Sequence, residues 1–457
     1  MAMKEHFSMD IAGHIGTPLT TNATKVLLLG AGELGKGLAM AFQHLGVEVH
    51  AVDRYEGAPA LQVAHVSYVA DICDDDKVLE LVTEIKPDYV VPEVEVVAVD
   101  ALRKIEDELD ADVVPSARAC ELTQDRESMR HCAESIGLPV SGYRIASSLE
   151  ELQQAGEELG FPCIVKPDIA TSGKGHMIVR EAEDFKEAWN LVHRAGNADN
   201  RRVVAERFVD FDYEATMLAV RSIDPETGKL ATWFSEPIGH AHENGDLVEA
   251  WQPMAMSEAA LENARSVAAR ISNELGGRGV YGVELFVAGD DVFFSSVSPR
   301  PSDAAMLTSY TQRFSEFDSH VRAILGYPID VTLVSPGASI VLHADQELSD
   351  VAYTGIEQAL SYAETDVRLF GKPGAYKGRR MGLVVSTAET IEIARDRAAL
   401  AAAKIDICPT PGTAMPASDA ALAVDYTADD ENDFHIVEAP NPLIELDPKL
   451  TRSADND

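Results

Sequence analysis

"KVLLLGAGELGKGLAMAFQHLGVEVHAVD", residues 25–53, decides how the fold is read. The apolar run at 25–29 is short and leads straight into Gly30, Gly32 and Gly35, the marks of a buried strand followed by a turn. An amphipathic stretch then carries apolar residues at helical spacing, and a second β-rich run closes on Asp53. The same rhythm continues through "SYVADI", a helical pattern at 76–85, "DYVVPEVE", another helix and "DVVP". Short strands alternating with helices predict a doubly wound parallel sheet over residues 25–122, after an N-terminal extension at 1–24.

The glycine spacing also matches a dinucleotide-binding loop, with Asp53 as its acid, so an NAD-dependent oxidoreductase is one reading. Glu33 opposes it, because a carboxylate at the helix N-terminus repels the pyrophosphate that the helix amides would otherwise receive. An amine or ribose hydroxyls suit Glu33 better. Glu93 follows Pro92 at the carboxyl end of a strand, where open α/β sheets bind ligands; a solvated loop acid is the alternative.

Beyond residue 123 the pattern becomes α+β, with several antiparallel strands up to residue 328. "IVKPDIATSGKGHMIV" sets Lys166 on a strand before a glycine loop. Walker A is excluded, since Gly175 follows Lys174 and the loop runs into a strand. A glycine hairpin carrying a lysine still folds over phosphates through its amides and ammonium. In "VVAERFVDFDYE", read as an edge or hinge strand, the main chain at 207–209 offers hydrogen bonds to an adenine edge. Glu206 and Glu214 offer acceptors for an amine or ribose hydroxyls, against exposed strand acids as the plain alternative.

"YGVELFVAGDDVFFSSVSP" predicts a hairpin. A three-residue turn pairs Glu284 with Ser296 and Phe286 with Phe294, whereas a two-residue turn brings Ser295 opposite Glu284. Flanked by Val283 and Leu285, Glu284 calls for a metal or a basic partner. Residues 329–425 form a smaller β-rich region, and 426–457 an acidic tail expected to be disordered. Within the former, Arg368, Lys372, Lys377, Arg379 and Arg380 make a basic island that suits a phosphate-sized anion, or else an internal salt-bridge network.

Composition limits the partners. Lys+Arg number 38 against 76 Asp+Glu, a net charge of −38, which argues against nucleic acid and anionic membranes. Five cysteines without ligand spacing read as reduced thiols. No run reaches the ~20 apolar residues of a membrane span, so a cytoplasmic protein is expected.

Taken in order, "GAGELG", "VDRY", "VVPEVE", "CIVKP", "SGKG", "AERFV", "DYE", "GVELFV", "VSPRP", "RLFGKP" and "GRR" resemble the formate-dependent glycinamide ribonucleotide transformylases, ATP-grasp enzymes of purine biosynthesis, over residues 25–410. The resemblance implies a preATP-grasp domain at 25–122, an ATP-grasp domain with a lid at 123–328, a C-terminal β-rich domain at 329–425 and a homodimer. It implies ATP and Mg2+, with formate and 5-phosphoribosylglycinamide as substrates joined through formyl phosphate. By position, Arg126, Lys166, Thr171, Ser172, Gly173, Lys174, Gly175 and His176 would meet ATP. Glu206, Arg207, Phe208 and Val209 would meet the base, and Glu214 the ribose. Glu284, with Ser296 in the place of a family glutamate, would hold the metal. Glu33, Leu34, Glu93, Asp303, Lys372, Arg379 and Arg380 would bind the ribonucleotide, the last three at its 5′-phosphate.

The chain departs from the family at Ser296, at Ser302 in place of a histidine, and at Ala304 and Ala305 in place of threonine and glycine. A different acceptor, or a nucleotide-binding paralogue without turnover, are the alternatives these departures raise.

Acidity spread over the whole chain also predicts a salt requirement, because self-repulsion at this net charge is screened as the Debye length contracts. Raising KCl from about 0.1 M to about 1 M should raise the thermal unfolding midpoint. Equal refolding yield and equal midpoint at both salts would refute the expectation.

Overall fold

A computed structural model describes residues 11–169, 175–195, 202–243, 245–410 and 436–437. Five parallel strands lie in the order Val66–Val69, Glu48–Asp53, Lys25–Leu29, Tyr89–Pro92 and Asp112–Val113, with Ile436–Val437 added antiparallel beside Val66–Val69. Residue alternation explains why the sheet is covered on both faces. Val26 and Leu28 pack with Leu38 and Phe42 of helix Glu33–His44 and with Phe317 and Val321 of helix Glu316–Ile324. Leu27 and Leu29 point the other way, against Leu81 of Asp75–Ile85 and Leu102 and Ile105 of Val99–Glu108. Strand order reverses at Lys25–Leu29, so the crevice past Leu29 and Pro92 is a ligand position built by topology.

The glycine loop fills that crevice. Gly30 takes φ +104° and its amide donates to Val52 O at 3.0 Å. Asp53 is occupied locally, accepting from the Ala31 and Arg54 amides at 2.8 Å each, which removes the acid that the NAD reading needs for a ribose.

A four-stranded antiparallel sheet follows, ordered Tyr143–Ala146, Val203–Arg207, Cys163–Pro167 and Met177–Val179. Leu152, Ala155 and Leu159 of helix Leu149–Leu159, with Phe185 and Ala188 of Phe185–Ala195, bury one face of it. Val203–Arg207 is flanked on both sides, which corrects the edge-strand expectation. Thr171, Ser172, Gly173 and Lys174, expected to meet ATP, lie outside the described residues.

The main antiparallel sheet has nine strands. Asp291–Ser298, Gly279–Ala288, Tyr213–Ile223, Ile238–Glu243 and Asp246–Gln252 are neighbours in that order, and Gly337–His343, Arg380–Thr387 and Thr365–Leu369 extend the same sheet. Strands beyond residue 329 therefore continue the sheet begun before it. Helix Glu258–Leu275 seals one face through Ala264, Ala268 and Ile271 against Met217 and Val283.

The hairpin differs in detail from expectation. Its turn has two residues, Gly289 at φ +62° and Asp290, so Ala288 pairs with Asp291 and Phe286 with Phe293, not Phe294. A β-bulge at Ser295 then restores Glu284 opposite Ser296. Among the described residues no helix is long and apolar enough to cross a membrane.

A Cβ on Gly30 would stand 2.6 Å from Glu93 Oε2 and 2.7 Å from a Val94 methyl, at a backbone angle that side chains avoid. Gly30→Ala should therefore cost about 1–3 kcal/mol of stability in chemical denaturation. An unchanged midpoint would mean that the loop tolerates the shift.

Candidate active site

The crevice gathers charge from three parts of the chain. Glu33, the first residue of its helix, is buried and takes Lys372 Nζ at 2.9 Å and Arg380 Nη2 at 3.3 Å. Arg380 also pairs with Asp303, in the turn after strand Asp291–Ser298. Burial works against the Arg380 charge, and Asp303 and Glu33 outweigh it. Burial pulls Lys372 below its ordinary value while Glu33 pushes back. Arg379 donates to Gly374 O at 2.6 Å and lies over the Tyr376 ring. The basic island thus divides: Lys372 and Arg380 are in the crevice, and Arg368 bonds Tyr310 Oη at 2.8 Å. Lys372 and Arg380 are paired with Glu33 and Asp303, as the salt-bridge reading of the island expects.

Glu93 is fully buried beneath the glycine loop, accepting from the Gly35 amide at 2.7 Å while its Oε2 has no partner. Burial first, and the Glu33 charge second, push its carboxyl well above the usual range. Leu34 packs on the core beside these acids.

The residues of the nucleotide-type motifs are divided between the four-stranded sheet and the large one. Glu206, 2% exposed, does not present a free carboxylate: Arg130 and Lys166 each contact it at 2.7 Å. Burial would raise its carboxyl, but Arg130 and then Lys166 overcome that and hold it far below the ordinary value. The main chain is engaged as well, with the Arg207 amide donating to Gly142 O at 2.8 Å and Phe208 to Pro162 O at 3.3 Å. Val209 lies just past the strand. Arg126 hydrogen-bonds Pro167 O at 3.2 Å and its guanidinium meets His176 Nε2 at 3.3 Å. Burial, then Arg126 and Lys166, depress His176 well below the ordinary histidine value. Gly175 beside it has φ +80°.

On the large sheet, pairing puts Glu214 opposite both His240 and Phe286, and Thr216 opposite Glu284. Residues two apart share a face, so Glu214, His240, Glu284 and Ser296 line one surface. Ser296 Oγ donates to Glu284 Oε2 at 2.7 Å. Glu284 has no ion-pair partner among the described residues, leaving a carboxylate and a hydroxyl as hard oxygen donors. That set fits a magnesium ion completed by phosphate oxygens and water.

Ser302, Ala304 and Ala305, the other departures, point inward. Both alanines are buried in the core cluster with Phe317. The Ser302 amide donates to the buried Glu316 carboxylate at 2.8 Å. Sequence reasoning missed Arg130, whose position among Met129, Cys132 and Ala133 on one helix was its only signal. It also missed His240 and His242, visible as "HAH" on an alternating strand.

Three family models match: the ribonucleotide synthetase preATP-grasp domain over residues 23–124, the ATP-grasp domain over 131–317, and the PurT C-terminal domain over 337–405. The formate-dependent phosphoribosylglycinamide formyltransferase of Corynebacterium glutamicum is 59% identical over 402 residues, 88% of this chain and 98% of that protein. A solved glycinamide transformylase structure from Mycobacterium tuberculosis is similar at TM-score 0.70 and 38% identity, covering 84% of this chain and all of that one. An ADP complex of N5-carboxyaminoimidazole ribonucleotide synthetase reaches TM-score 0.74 at 26% identity, covering 85% and 98%.

The Glu206 cluster makes a stability prediction of its own. Glu206→Gln leaves Arg130 and Lys166 facing each other without their shared anion, and should lower the unfolding free energy by about 3–5 kcal/mol. A loss below about 1 kcal/mol in denaturant titration would show that the cations find other partners.

Proposed function

The chain belongs to the formate-dependent phosphoribosylglycinamide formyltransferases, and on that premise we propose a division of labour between the two halves of its cleft. The enzyme formylates 5-phosphoribosylglycinamide with formate and ATP in purine biosynthesis. A formate oxygen takes the γ-phosphoryl group, releasing ADP and giving formyl phosphate. The glycinamide amine then attacks the formyl carbon, the carbon–oxygen bond to phosphate breaks, and the amine proton passes to solvent. A ligase for another acceptor and an idle paralogue are not favoured, since curated relatives at 59% identity over most of the chain are formate-dependent phosphoribosylglycinamide formyltransferases.

ATP lies between the two sheets. Arg126, Lys166 and residues 171–176 meet its phosphates, Glu214 takes ribose hydroxyls, and the base falls to the main chain past the strand end at Val209, because Glu206 is paired on both sides and the Arg207 and Phe208 amides are already bonded. Glu284 and Ser296 hold Mg2+, which when bound neutralises the transferring phosphoryl group. Glu33, Leu34, Glu93 and Asp303 bind the glycinamide ribose portion, with Lys372, Arg379 and Arg380 at the 5′-phosphate. An arriving phosphate exchanges places with Glu33 and Asp303 as partner of those cations. Rate comes from positioning and charge neutralisation, with no covalent enzyme intermediate. The family premise also supports a cytoplasmic homodimer.

One observation carries this reading: the strand that sets Ser296 opposite Glu284 runs on to Asp303 and its Arg380 ion pair, joining the metal face to the acceptor crevice. ADP release by purified protein tests it, and should require formate and the ribonucleotide together; ATP binding without turnover would overturn it. Ser296→Glu supplies a second carboxylate, and the Mg2+ concentration for half-maximal rate should fall by about tenfold, the scale of one charge-assisted contact. An unaltered Mg2+ profile would remove Ser296 from the metal site.

A further inference from the structure

Two histidines on the nucleotide face have no part in that scheme. Strand Ile238–Glu243 sets His240 and His242 two residues apart, and Glu214 lies directly across from His240. Pairing slips after Ala241, where the partner strand skips from Glu249 to Leu247, so the extra residue sits on the partner and the two imidazoles keep a common face. One donor atom from each of the three residues lies within 4.8 Å of the others. Glu214 Oε2 is 2.7 Å from His242 Nδ1 and 3.4 Å from His240 Nδ1. Nitrogen and oxygen ligands about 2.0–2.1 Å from a tetrahedral ion stand about 3.4 Å apart; of the three edges, Glu214–His240 already has that length, Glu214–His242 needs to open by about 0.7 Å, and His240–His242 lies within 4.8 Å.

His240 supplies the independent observation. Its side chain is only 3% exposed, and among the described residues neither ring nitrogen makes a well-formed hydrogen bond, the 3.4 Å approach to Glu214 being close but misaligned. A buried imidazole whose nearest polar contact is a poorly aligned carboxylate has unmet donor and acceptor capacity, which a cation in front of Nδ1 would satisfy. The ligand chemistry selects the ion. Two imidazoles and one carboxylate suit zinc, cobalt and their neighbours, whereas magnesium prefers oxygen alone. Three protein ligands leave a further position open toward the cleft.

We propose that Glu214, His240 and His242 bind one divalent transition-metal ion of the zinc or cobalt class, at a site separate from Glu284 and Ser296. Resting on the reading of Glu214 as the ribose acceptor, the consequence is inhibition: the ion and a nucleoside compete for the same carboxylate.

Cobalt(II) is the probe, added to nucleotide-free protein and followed by its ligand-field absorption. One equivalent should bind to the wild type. His242→Gln, at a side chain 31% exposed and so open to substitution, should weaken binding at least tenfold, with His242→Asn as a second variant. Glu284→Gln should leave cobalt binding intact. Equal affinity in both His242 variants, or loss in Glu284→Gln alone, overturns the site. Adenosine, which offers ribose hydroxyls without chelating phosphates, should release the ion, and retention at saturating adenosine overturns the competition. Protein that formylates the ribonucleotide yet takes up no cobalt refutes the metal site and leaves the proposed function standing.

Discussion

Glu206, held between Arg130 and Lys166 out of water, is the interaction on which the nucleotide half of the molecule depends. It joins three separate elements: Arg130 comes from helix Arg126–Ser135, Lys166 from Cys163–Pro167 and Glu206 from Val203–Arg207. Arg130 also donates to Phe294 O at 3.0 Å, which ties the small sheet to the strand bearing Ser296. Three charges, two positive and one negative, leave a net positive centre in a chain whose total is −38. Arg130 and Lys166 are both held by one buried carboxylate, which leaves neither to pair with the acids of the surface. The crevice repeats the device, with Glu33 and Asp303 holding Lys372 and Arg380.

That arrangement also separates two jobs that the sequence presents as one. Glu206 is a motif residue, and its position invites a role as an acceptor for ligand. Its carboxylate is instead structural, while the neighbouring backbone stays available only past the strand end. Glu93 shows the opposite pattern: one oxygen is bound by the Gly35 amide and the other has no partner, in a place where burial favours the protonated form. An unmet oxygen at a topological crevice is a feature a ligand can use; a carboxylate already shared by two cations is not.

Periodicity and glycine placement made the parallel sheet legible, because strand, turn and helix are local patterns and the alternation of Val26, Leu27, Leu28 and Leu29 suits burial on both faces. The Glu284–Ser296 pairing was legible for a partly wrong reason. A three-residue turn predicts Ser296 and a two-residue turn Ser295 opposite Glu284; the turn has two residues, and the bulge at Ser295 returns Ser296 to that place. Bulges depend on side chains from other strands, so local sequence does not announce them. Arg130 escaped notice since its partner stands 76 residues away, a distance no local pattern spans. Continuation of the large sheet past residue 329 was hidden for the same reason.

Departures from the family motif carry unequal weight once their surroundings are known. Ala304 and Ala305 are buried beside Phe317, and Ser302 lies within 3.3 Å of the position a Cβ would take on Gly282, in the interior of the large sheet. These three changes answer to packing, and Asp303 between them still reaches Arg380. Ser296 is different in kind, because it stands on the cleft face with its hydroxyl directed at Glu284. On the proposed assignment of Mg2+ and ATP to this face, a hydroxyl in place of a carboxylate removes one negative charge where a dication and a triphosphate would both be received. Attraction for the ion falls, and so does repulsion of the phosphates. On the same assignment, with Glu284 the one carboxylate beside Ser296, the balance at that pair shifts toward a magnesium ion that arrives with the nucleotide and leaves with it.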